Sequence, residues 1–255
     1  MISRYEVWLN NAALSEISPS IYVADIAYPA QSISRETGRF GGRDGMFSGQ
    51  NDYVEPKKIQ ISFVVREYLT DDRQQVIQDV IGWAINGGWL KASDRPGQRI
   101  YVKLTQPPTV NSVMRWTETL GMEFTAFDFP FWQDIDPVTV DVAKGEMGVL
   151  TVGGVHESFV SVTITAEAHL TSVTLSCGGT TIALEGISVN SGQTIVLSYS
   201  DEHHLLEIKR GSTPLLNKRT PESDDDLICK PGQNIVSFDA DGAATCQFKA
   251  WGVWM

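Results

Sequence analysis

The sequence predicts a mainly β protein with one α-helix: an N-terminal β-sandwich domain with a flanking helix, followed by a C-terminal antiparallel β-sandwich domain. Three observations predict this fold. Residues 59–66 alternate apolar and polar side chains, as a half-buried strand does. Residues 70–84 repeat apolar side chains at helical spacing. The second half of the chain consists of short β runs separated by Gly, Asn, Ser and Pro turns.

A length of 255 residues favours two domains, because domains most often contain about 100–150 residues. The linker is predicted at Gln133–Pro137, where a proline and alternating acids interrupt an aromatic strand end. The predicted domains are therefore residues 1–135 and 136–255.

The first domain begins with a hairpin-like pair of β runs, at residues 5–9 and 21–26. The stretch from Pro29 to Pro56 then lacks a sustained apolar period, and it has five glycines between Gly38 and Gly49. These features predict a long functional or interface loop.

The centre of the first domain carries the strongest secondary-structure signals. Residues 59–66 are predicted to form a strand, and Thr70 is predicted to be the N-cap of the helix that follows. The apolar face of that helix consists of Val76, Ile77, Val80, Ile81 and Ala84. Residues 86–88 are typical of a helix end, and further strands are predicted at 99–104 and 122–128.

The second domain shows no helical period. An antiparallel sandwich is predicted from its regular short β runs, at residues 159–166, 172–176, 181–184, 194–198, 205–209, 232–239 and 245–251.

The net charge of −11 argues against tight nucleic-acid binding. Residues 1–135 hold 16 acidic and 13 basic residues, and residues 136–255 hold 15 acidic and 7 basic ones. Binding to phosphate backbones or to anionic lipids needs clustered Lys and Arg. No apolar run approaches the roughly 18 residues of a membrane helix, so no membrane insertion is expected.

The three cysteines, Cys177, Cys229 and Cys246, lack metal-ligand spacing. Buried free thiols are predicted, and a Cys177–Cys246 disulfide is the alternative.

Neither a cofactor nor a metal site is predicted. The Gly38–Gly45 loop matches no phosphate-binding fingerprint. His203 and His204 are adjacent, and neighbouring residues of a strand point to opposite faces, so a solvated turn is expected there. Residues 224–226 and 239–242 resemble fragments of calcium loops, and polar turns are favoured over weak calcium binding.

No catalytic residue is predicted, because the sequence has neither a G-x-S-x-G elbow nor a recognisable triad. Glu123 and Asp128 could form a glycosidase pair, but their separation of five residues places them on opposite faces of a regular strand. Core or interface packing is favoured over sugar stacking for Trp83, Trp89, Trp116, Trp132, Trp251 and Trp254.

Several short motifs follow one another in the first domain. The loop Gly38–Gly49 precedes the strand at 59–66, and the helix ends near Trp83. The segment Gly88–Pro96, with its Leu and Asp-Arg-Pro turn, precedes Tyr101. In this order, the motifs resemble the siphophage distal tail protein family.

The resemblance continues to the end of the chain. Pro130–Trp132 is similar to the Pro-Phe-Trp element that ends the first domain in that family, and residues 230–236 look like its Pro-Gly-x-Asn segment.

The resemblance implies a virion protein of the phage tail tip, made and assembled in the host cytoplasm. Such proteins form a hexameric ring through which DNA passes without specific binding, and their C-terminal domain is a galectin-like sandwich. The implied partners are the tail tube protein, the tape measure protein, the central fibre protein, and receptor-binding or other baseplate proteins. A ring needs contacts between different surfaces of neighbouring copies. The candidate inter-subunit residues are Arg39, Phe40, Arg43, Trp89 and Arg95.

The sequence is also compatible with two other functions. The segment 138–255 could be a carbohydrate-binding module that recognises host cell-surface glycans, or the chain could be a cell-wall hydrolase that uses Glu123 and Asp128.

Overall fold

The computed structural model describes residues 5–34, 37–38, 47–48, 53–67, 70–108 and 118–255. The chain divides into two compact units, Met1–Phe131 and Trp132–Met255. The mainly β fold with one helix is confirmed within the described residues.

The first unit is an antiparallel assembly around a single α-helix, α1 (Thr70–Ala84). Its strands are β1 (Val7–Leu9), β2 (Ala12–Ala13), β3 (Ile21–Ala27), β4 (Ile33–Ser34), β5 (Thr37–Gly38), β6 (Phe47–Ser48), β7 (Tyr53–Val54), β8 (Lys57–Val65), β9 (Gly88–Ala92), β10 (Gln98–Gln106) and β11 (Glu118–Ala126). Seven of them pair in the order β2-β1-β9-β10-β11-β8-β3. A short 3-10 turn, Leu14–Glu16, follows β2.

Strand β10 belongs to two sheets. Residues 100–102 pair with β9, whereas residues 103–106 pair with β11, and the register shifts between Leu104 and Gln106. A strand that changes partners in this way is typical of the corner between two packed sheets. Tyr5 also forms an isolated bridge with Val23 of β3, which brings the chain before β1 to the far edge strand. The predicted N-terminal β-sandwich is therefore confirmed.

The inner faces of these strands and one face of α1 form the core of the first unit. Ile59, Ile61, Phe63 and Val65 of β8 are completely buried, as their alternation predicts. Val80 and Ala84 of α1 are completely buried as well.

Trp83 fixes the C-terminal end of α1. Its ring meets Phe124 of β11 edge to face, with the centroids 6.2 Å apart. Its indole N–H donates a hydrogen bond to the carbonyl of Ala12 at 3.0 Å. Trp83 therefore packs against the core, as predicted.

No helix in the described ranges has the length and hydropathy needed to cross a membrane.

The segment that was predicted as a loop between Pro29 and Pro56 contains paired strands. Strand β4 pairs with β7, and β5 pairs with β6. At the base of this hairpin, the Glu55 N–H donates to the Ser32 carbonyl at 3.0 Å. The loop prediction was wrong in this respect, because two-residue ladders are too short to produce a sequence period.

The second unit is an antiparallel β-sandwich. Its strands are β12 (Trp132–Asp134), β13 (Val138–Ala143), β14 (Met147–Val152), β15 (Ser158–Ala166), β16 (Leu170–Cys177), β17 (Thr180–Val189), β18 (Thr194–Tyr199), β19 (Leu206–Arg210), β20 (Thr213–Pro214), β21 (Ile228–Cys229), β22 (Gly232–Ala240), β23 (Ala244–Ala250) and β24 (Val253–Trp254). One sheet has the order β13-β23-β15-β18-β19-β20, with β21 beside β15, and the other has the order β14-β22-β16-β17. A second 3-10 turn spans Leu216–Lys218.

The two sheets of the second unit enclose one apolar core. Every second residue of β15 faces inward, and Val160, Val162 and Ile164 are at most 1% exposed. Phe238 and Phe248 are also almost fully buried in this core. Fully burying such a side chain contributes about 1.5–3 kcal/mol each to the free energy of unfolding. The predicted antiparallel sandwich is confirmed.

The beginning and the end of the second unit are joined. Strand β12 pairs with β24, and the indole N–H of Trp254 donates to the Asp134 carboxylate at 2.8 Å. Gln133 and Asp134, which the sequence assigned to the linker, lie in β12.

Candidate inter-subunit surface

The hairpin formed by β9 and β10 carries two of the five predicted interface residues. Trp89 lies in β9, and Arg95 lies in the turn that connects the two strands. The other three, Arg39, Phe40 and Arg43, lie outside the described residues.

Trp89 lies on the outer face of the hairpin, opposite the buried Leu90. It pairs across the strands with Tyr101, and the two rings meet edge to face with centroids 5.5 Å apart. The Arg99 guanidinium stacks over the Trp89 ring at 4.0 Å from its centroid. All three of these outward-facing residues are half-buried.

Trp8 and Lys91 extend this surface onto β1. They are Cα partners, both are half-buried, and the residues that flank Trp8, Val7 and Leu9, point into the core. We call the surface formed by Trp8, Trp89, Lys91, Arg99 and Tyr101 the aromatic-basic face. Aromatic residues and Arg are the residue types that are enriched in protein interfaces.

Asn10 holds the beginning of β9 in place. Its amide oxygen accepts the N–H of Trp89, and its amide nitrogen donates to the Gly87 carbonyl, each at 3.0 Å. Its own backbone N–H donates to the Trp89 carbonyl at 2.9 Å. Gly88 has φ +135°, and an added Cβ there would lie 2.2 Å from the Asn10 amide oxygen. This position therefore requires glycine.

Arg95 belongs to a polar cluster at the hairpin turn. The Tyr28 hydroxyl donates to the Asp94 carboxylate at 2.8 Å, and the Arg95 guanidinium lies 4.9 Å from the centroid of the Tyr28 ring. Burial, followed by the bond to Asp94, raises the pKa of Tyr28 above its ordinary value. Tyr28 therefore stays protonated and continues to donate to Asp94.

Lys57 lies beside this cluster, and the sequence reasoning missed it. It has the inward-facing position at the start of β8, in line with Ile59, and is only 7% exposed. Burial, followed by the nearby charge of Arg95, lowers the pKa of Lys57. The alternation of β8, extended backward by two residues, could have predicted its inward position.

The proposed glycosidase pair has no support in the geometry. Glu123 accepts hydrogen bonds from Gln60 at 3.0 Å and pairs with Lys58 at 3.1 Å. These contacts, the one with Gln60 first, lower the pKa of Glu123, whereas a glycosidase general acid needs a raised pKa. Asp128 follows the end of β11 and is exposed.

Residues 203–204 and 224–226 lie between strands, whereas Asp239 of the motif 239–242 lies at the end of β22. His203 lies in a turn, with its ring 3.4 Å from the Glu202 carboxylate. The Asp224 carboxylate accepts the N–H of Thr181 at 2.6 Å, and Arg219 pairs with Asp225 at 3.1 Å. Among the described residues, no group of three or more His, Cys, Asp or Glu side chains could hold a metal ion.

The three cysteines are buried free thiols, as predicted. The Cys229 thiol donates a hydrogen bond to the Ser158 carbonyl at 3.5 Å. The nearby Cys229 thiol, followed by burial, raises the pKa of Cys177. Burial also raises the pKa of Cys246. The thiol that neighbours Cys177 is thus Cys229 rather than Cys246, the partner in the alternative disulfide.

No protein-family model matches this sequence, and no curated protein matches it. Solved structures do match it. The SPP1 Dit protein, described as a paradigm of the hub adsorption apparatus in phages that infect Gram-positive bacteria, aligns with a TM-score of 0.74 and 14% identity. The alignment covers 96% of this chain and 98% of that chain.

Two structures of the phage P2 baseplate in its activated conformation are also similar. The one with Ca aligns with a TM-score of 0.59 and 10% identity, covering 99% of this chain and 98% of that chain. The one with Sr aligns with a TM-score of 0.56 and 11% identity, covering 97% of each. The resemblance to distal tail proteins is thereby confirmed at the level of the fold. Over nearly its whole length, this chain has the fold of the SPP1 Dit hub protein.

Proposed function

We propose that this chain is a non-enzymatic structural hub of a phage tail tip, a member of the distal tail protein family. The observation that carries the proposal is the likeness to the SPP1 Dit hub protein, which extends through both units at a TM-score of 0.74. If the two proteins had only one sandwich domain in common, the alignment would not cover 96% of this chain.

In this proposal the first domain, residues 1–135, forms a hexameric ring that joins the tail tube to the baseplate or central fibre. DNA passes through the central channel without specific binding, which agrees with a net charge of −11. The hairpin of β4 to β7 and the aromatic-basic face provide two different surfaces in one chain, as the repeating contacts of a closed ring require. The five candidate residues Arg39, Phe40, Arg43, Trp89 and Arg95 contribute to these contacts.

The second domain, residues 136–255, docks receptor-binding or other baseplate proteins. One of its sheets ends in the edge strand β14, whose outer backbone groups are available to partners. The edge strand at the other side of that sheet, β17, is covered by residues 219–224. The tape measure protein is the expected partner at the channel. The mature assembly belongs to the virion and is put together in the host cytoplasm.

Native mass spectrometry and electron microscopy of the purified full-length chain test the proposal. The expected results are a mass six times the 28.1 kDa of one chain and a ring with a central hole. Co-purification with the tail tube protein of the same phage tests the position in the tail. A protein that stays monomeric at high concentration and binds no tail component would contradict the proposal.

The carbohydrate-binding hypothesis stays a prediction. The largest aromatic side chains in the core of the second unit, Phe238 and Phe248, are buried and unavailable for sugar stacking. Binding of the full-length chain to host polysaccharides on a glycan array would support it.

A further inference from the structure

Strand β14 is the edge of one sheet of the second unit, and it exposes apolar side chains. Met147 and Val149 of β14 are 78% and 56% exposed, and Ile235, the Cα partner of Val149 on β22, is 65% exposed. These three side chains lie on the outer face of the sheet, because the alternate residues Leu150 and Val236 are buried in the core. A contiguous exposed apolar patch of this kind is typical of a binding surface.

The backbone of β14 offers hydrogen-bonding groups at the same residues. The Ile235 carbonyl accepts the N–H of Gly178 at 3.2 Å, so the backbone groups of Ile235 point towards β16 and away from β14. Its partner Val149 therefore belongs to a pair without hydrogen bonds, and the N–H and C=O of Val149 point away from the sheet. The same holds for Met147 and Thr151, two residues to either side.

The other edges of the second unit, all of whose residues the structure describes, carry features that hinder pairing. Residues 219–224 cover β17, where the Thr220 N–H donates to the Ala183 carbonyl at 2.9 Å. Strand β20 has two residues, of which Pro214 has no N–H, and β13 carries the exposed charge of Asp141. Strand β14 contains neither a proline nor a charged residue. It is therefore the edge of this unit that is open to a further strand.

The charges at one end of β14 indicate the chemistry of that strand. Glu146 directly precedes Met147 and is exposed. Asp239 is exposed on the outer face of β22, two residues beyond Ser237, the partner of Met147. With Asp141, three carboxylates outnumber the single ammonium of Lys144 around this turn. A Lys or Arg of the added strand would form charge-assisted hydrogen bonds with these carboxylates.

A second copy of β14 fits this end poorly. Two copies would pair antiparallel about Val149, which would bring Glu146 of each copy beside the Thr151 end of the other. Thr151 and its partner Gln233 are uncharged, so the carboxylates at the turn would gain no cation. The local charges therefore favour a strand from a different protein.

We propose that β14 binds an extended segment of another baseplate protein, which adds one strand to the sheet. Its alternate apolar side chains cover Met147, Val149 and Ile235, and its basic residue lies beside Glu146 and Asp239. The main-chain bonds provide affinity, and the side-chain contacts provide specificity. This strand addition rests on the docking role proposed for the second domain, and it specifies the docking strand and the chemistry of the partner.

The first test compares Val149→Lys with Val155→Lys in the full-length chain. Both valines are more than half exposed, but Val155 lies in the connection between β14 and β15, where its N–H donates to the Val253 carbonyl. Binding of purified receptor-binding and other baseplate proteins of the same phage is measured by biolayer interferometry. We expect Val149→Lys to raise the Kd about tenfold or more, because it places an unpaired ammonium in an apolar contact. Val155→Lys should leave the Kd unchanged.

Hydrogen exchange measured by mass spectrometry locates the added strand without any substitution. The outward amides of Met147, Val149 and Thr151 should exchange rapidly in the free chain and about tenfold or more slowly in the complex. The partner segment that becomes protected in the same complex should alternate apolar side chains and include a Lys or Arg.

Charge reversal tests the basic residue. Replacing the Lys or Arg of the protected segment by Glu should raise the Kd about tenfold. Glu146→Lys in this chain should then restore binding. Glu157→Lys, at an exposed carboxylate in the connection between β14 and β15, should not restore it.

The outcomes separate strand addition from the docking role itself. A partner that binds Val149→Lys as tightly as wild type, or that protects other amides than those of β14, would overturn strand addition alone. Slowed exchange of the β14 amides in the chain alone at high concentration would assign this edge to a second copy and would also overturn it. If no baseplate protein binds the wild-type chain, the docking role proposed for the second domain is wrong, and strand addition with it.

Discussion

Replacing Trp89 by alanine separates the role of the aromatic-basic face in folding from its role in assembly. The substitution removes the edge-to-face contact with Tyr101, worth about 0.5–1.5 kcal/mol, and the stacking of Arg99, worth about 0.5–1 kcal/mol. The hydrogen bonds that join Trp89 to Asn10 use only the Trp89 backbone, so β9 keeps its position. The expected loss in the free energy of unfolding is therefore about 1–2.5 kcal/mol.

Circular dichroism measures this loss without depending on the fluorescence of the deleted indole. The expected fall in the melting temperature is about 2–10 °C. If Trp89 lies between subunits, the variant also weakens each contact by about 2 kcal/mol or more, which is roughly a thirtyfold change in the dissociation constant.

Tyr22→Ala is the matched control, because it removes the stacking of Arg66 at 5.2 Å on β3, outside the hairpin. It should cost a similar amount of folding stability and leave assembly unchanged. Equal effects of the two substitutions on assembly would refute the placement of Trp89 at the subunit contact.

Three further outcomes test the described structure. Gly88→Ala should lower the free energy of unfolding by about 1–3 kcal/mol in urea denaturation, because φ is +135° there and the new Cβ would meet the Asn10 side chain. The three buried cysteines should react with a thiol reagent only after denaturation, and fast reaction of the native protein would contradict their burial. Hydrogen bonds from Thr171 hold the pKa of Asp241 at about 2, below its ordinary 3.8. The stability that these bonds provide is complete above about pH 4 and is lost as the pH falls towards 2. The difference in melting temperature between wild type and Asp241→Asn should therefore shrink over that interval.

The sequence predicted the elements whose burial is periodic. The inward residues of β8 and the buried face of α1 were identified from their spacing alone, because one face of each element meets the core and the other meets solvent. Strand β9 was missed, although it carries Trp89. Its five residues follow a helix-stop signal, and only Leu90 among them is a strong strand-forming core residue, because Trp89 and Lys91 face outward.

The outer strands of the second unit were missed for a related reason. Met147 and Val149 of β14 are apolar but more than half exposed, so the burial pattern of this strand differs from its hydropathy pattern. Lys57 was missed because a lysine is read as an exposed residue. Its inward position is set by the pairing of β8 with β11, where Lys57 lies opposite Ala126. Such long-range registers depend on tertiary contacts that single-sequence patterns do not contain.

The change of partners within β10 has a consequence for how the first unit comes apart. Its two sheets share the nine-residue strand β10, so displacing this strand as a whole breaks backbone hydrogen bonds in both sheets. Amide protons on both sides of the switch should therefore exchange with deuterium through one shared opening event. The first unit should therefore unfold cooperatively when it is heated or pulled.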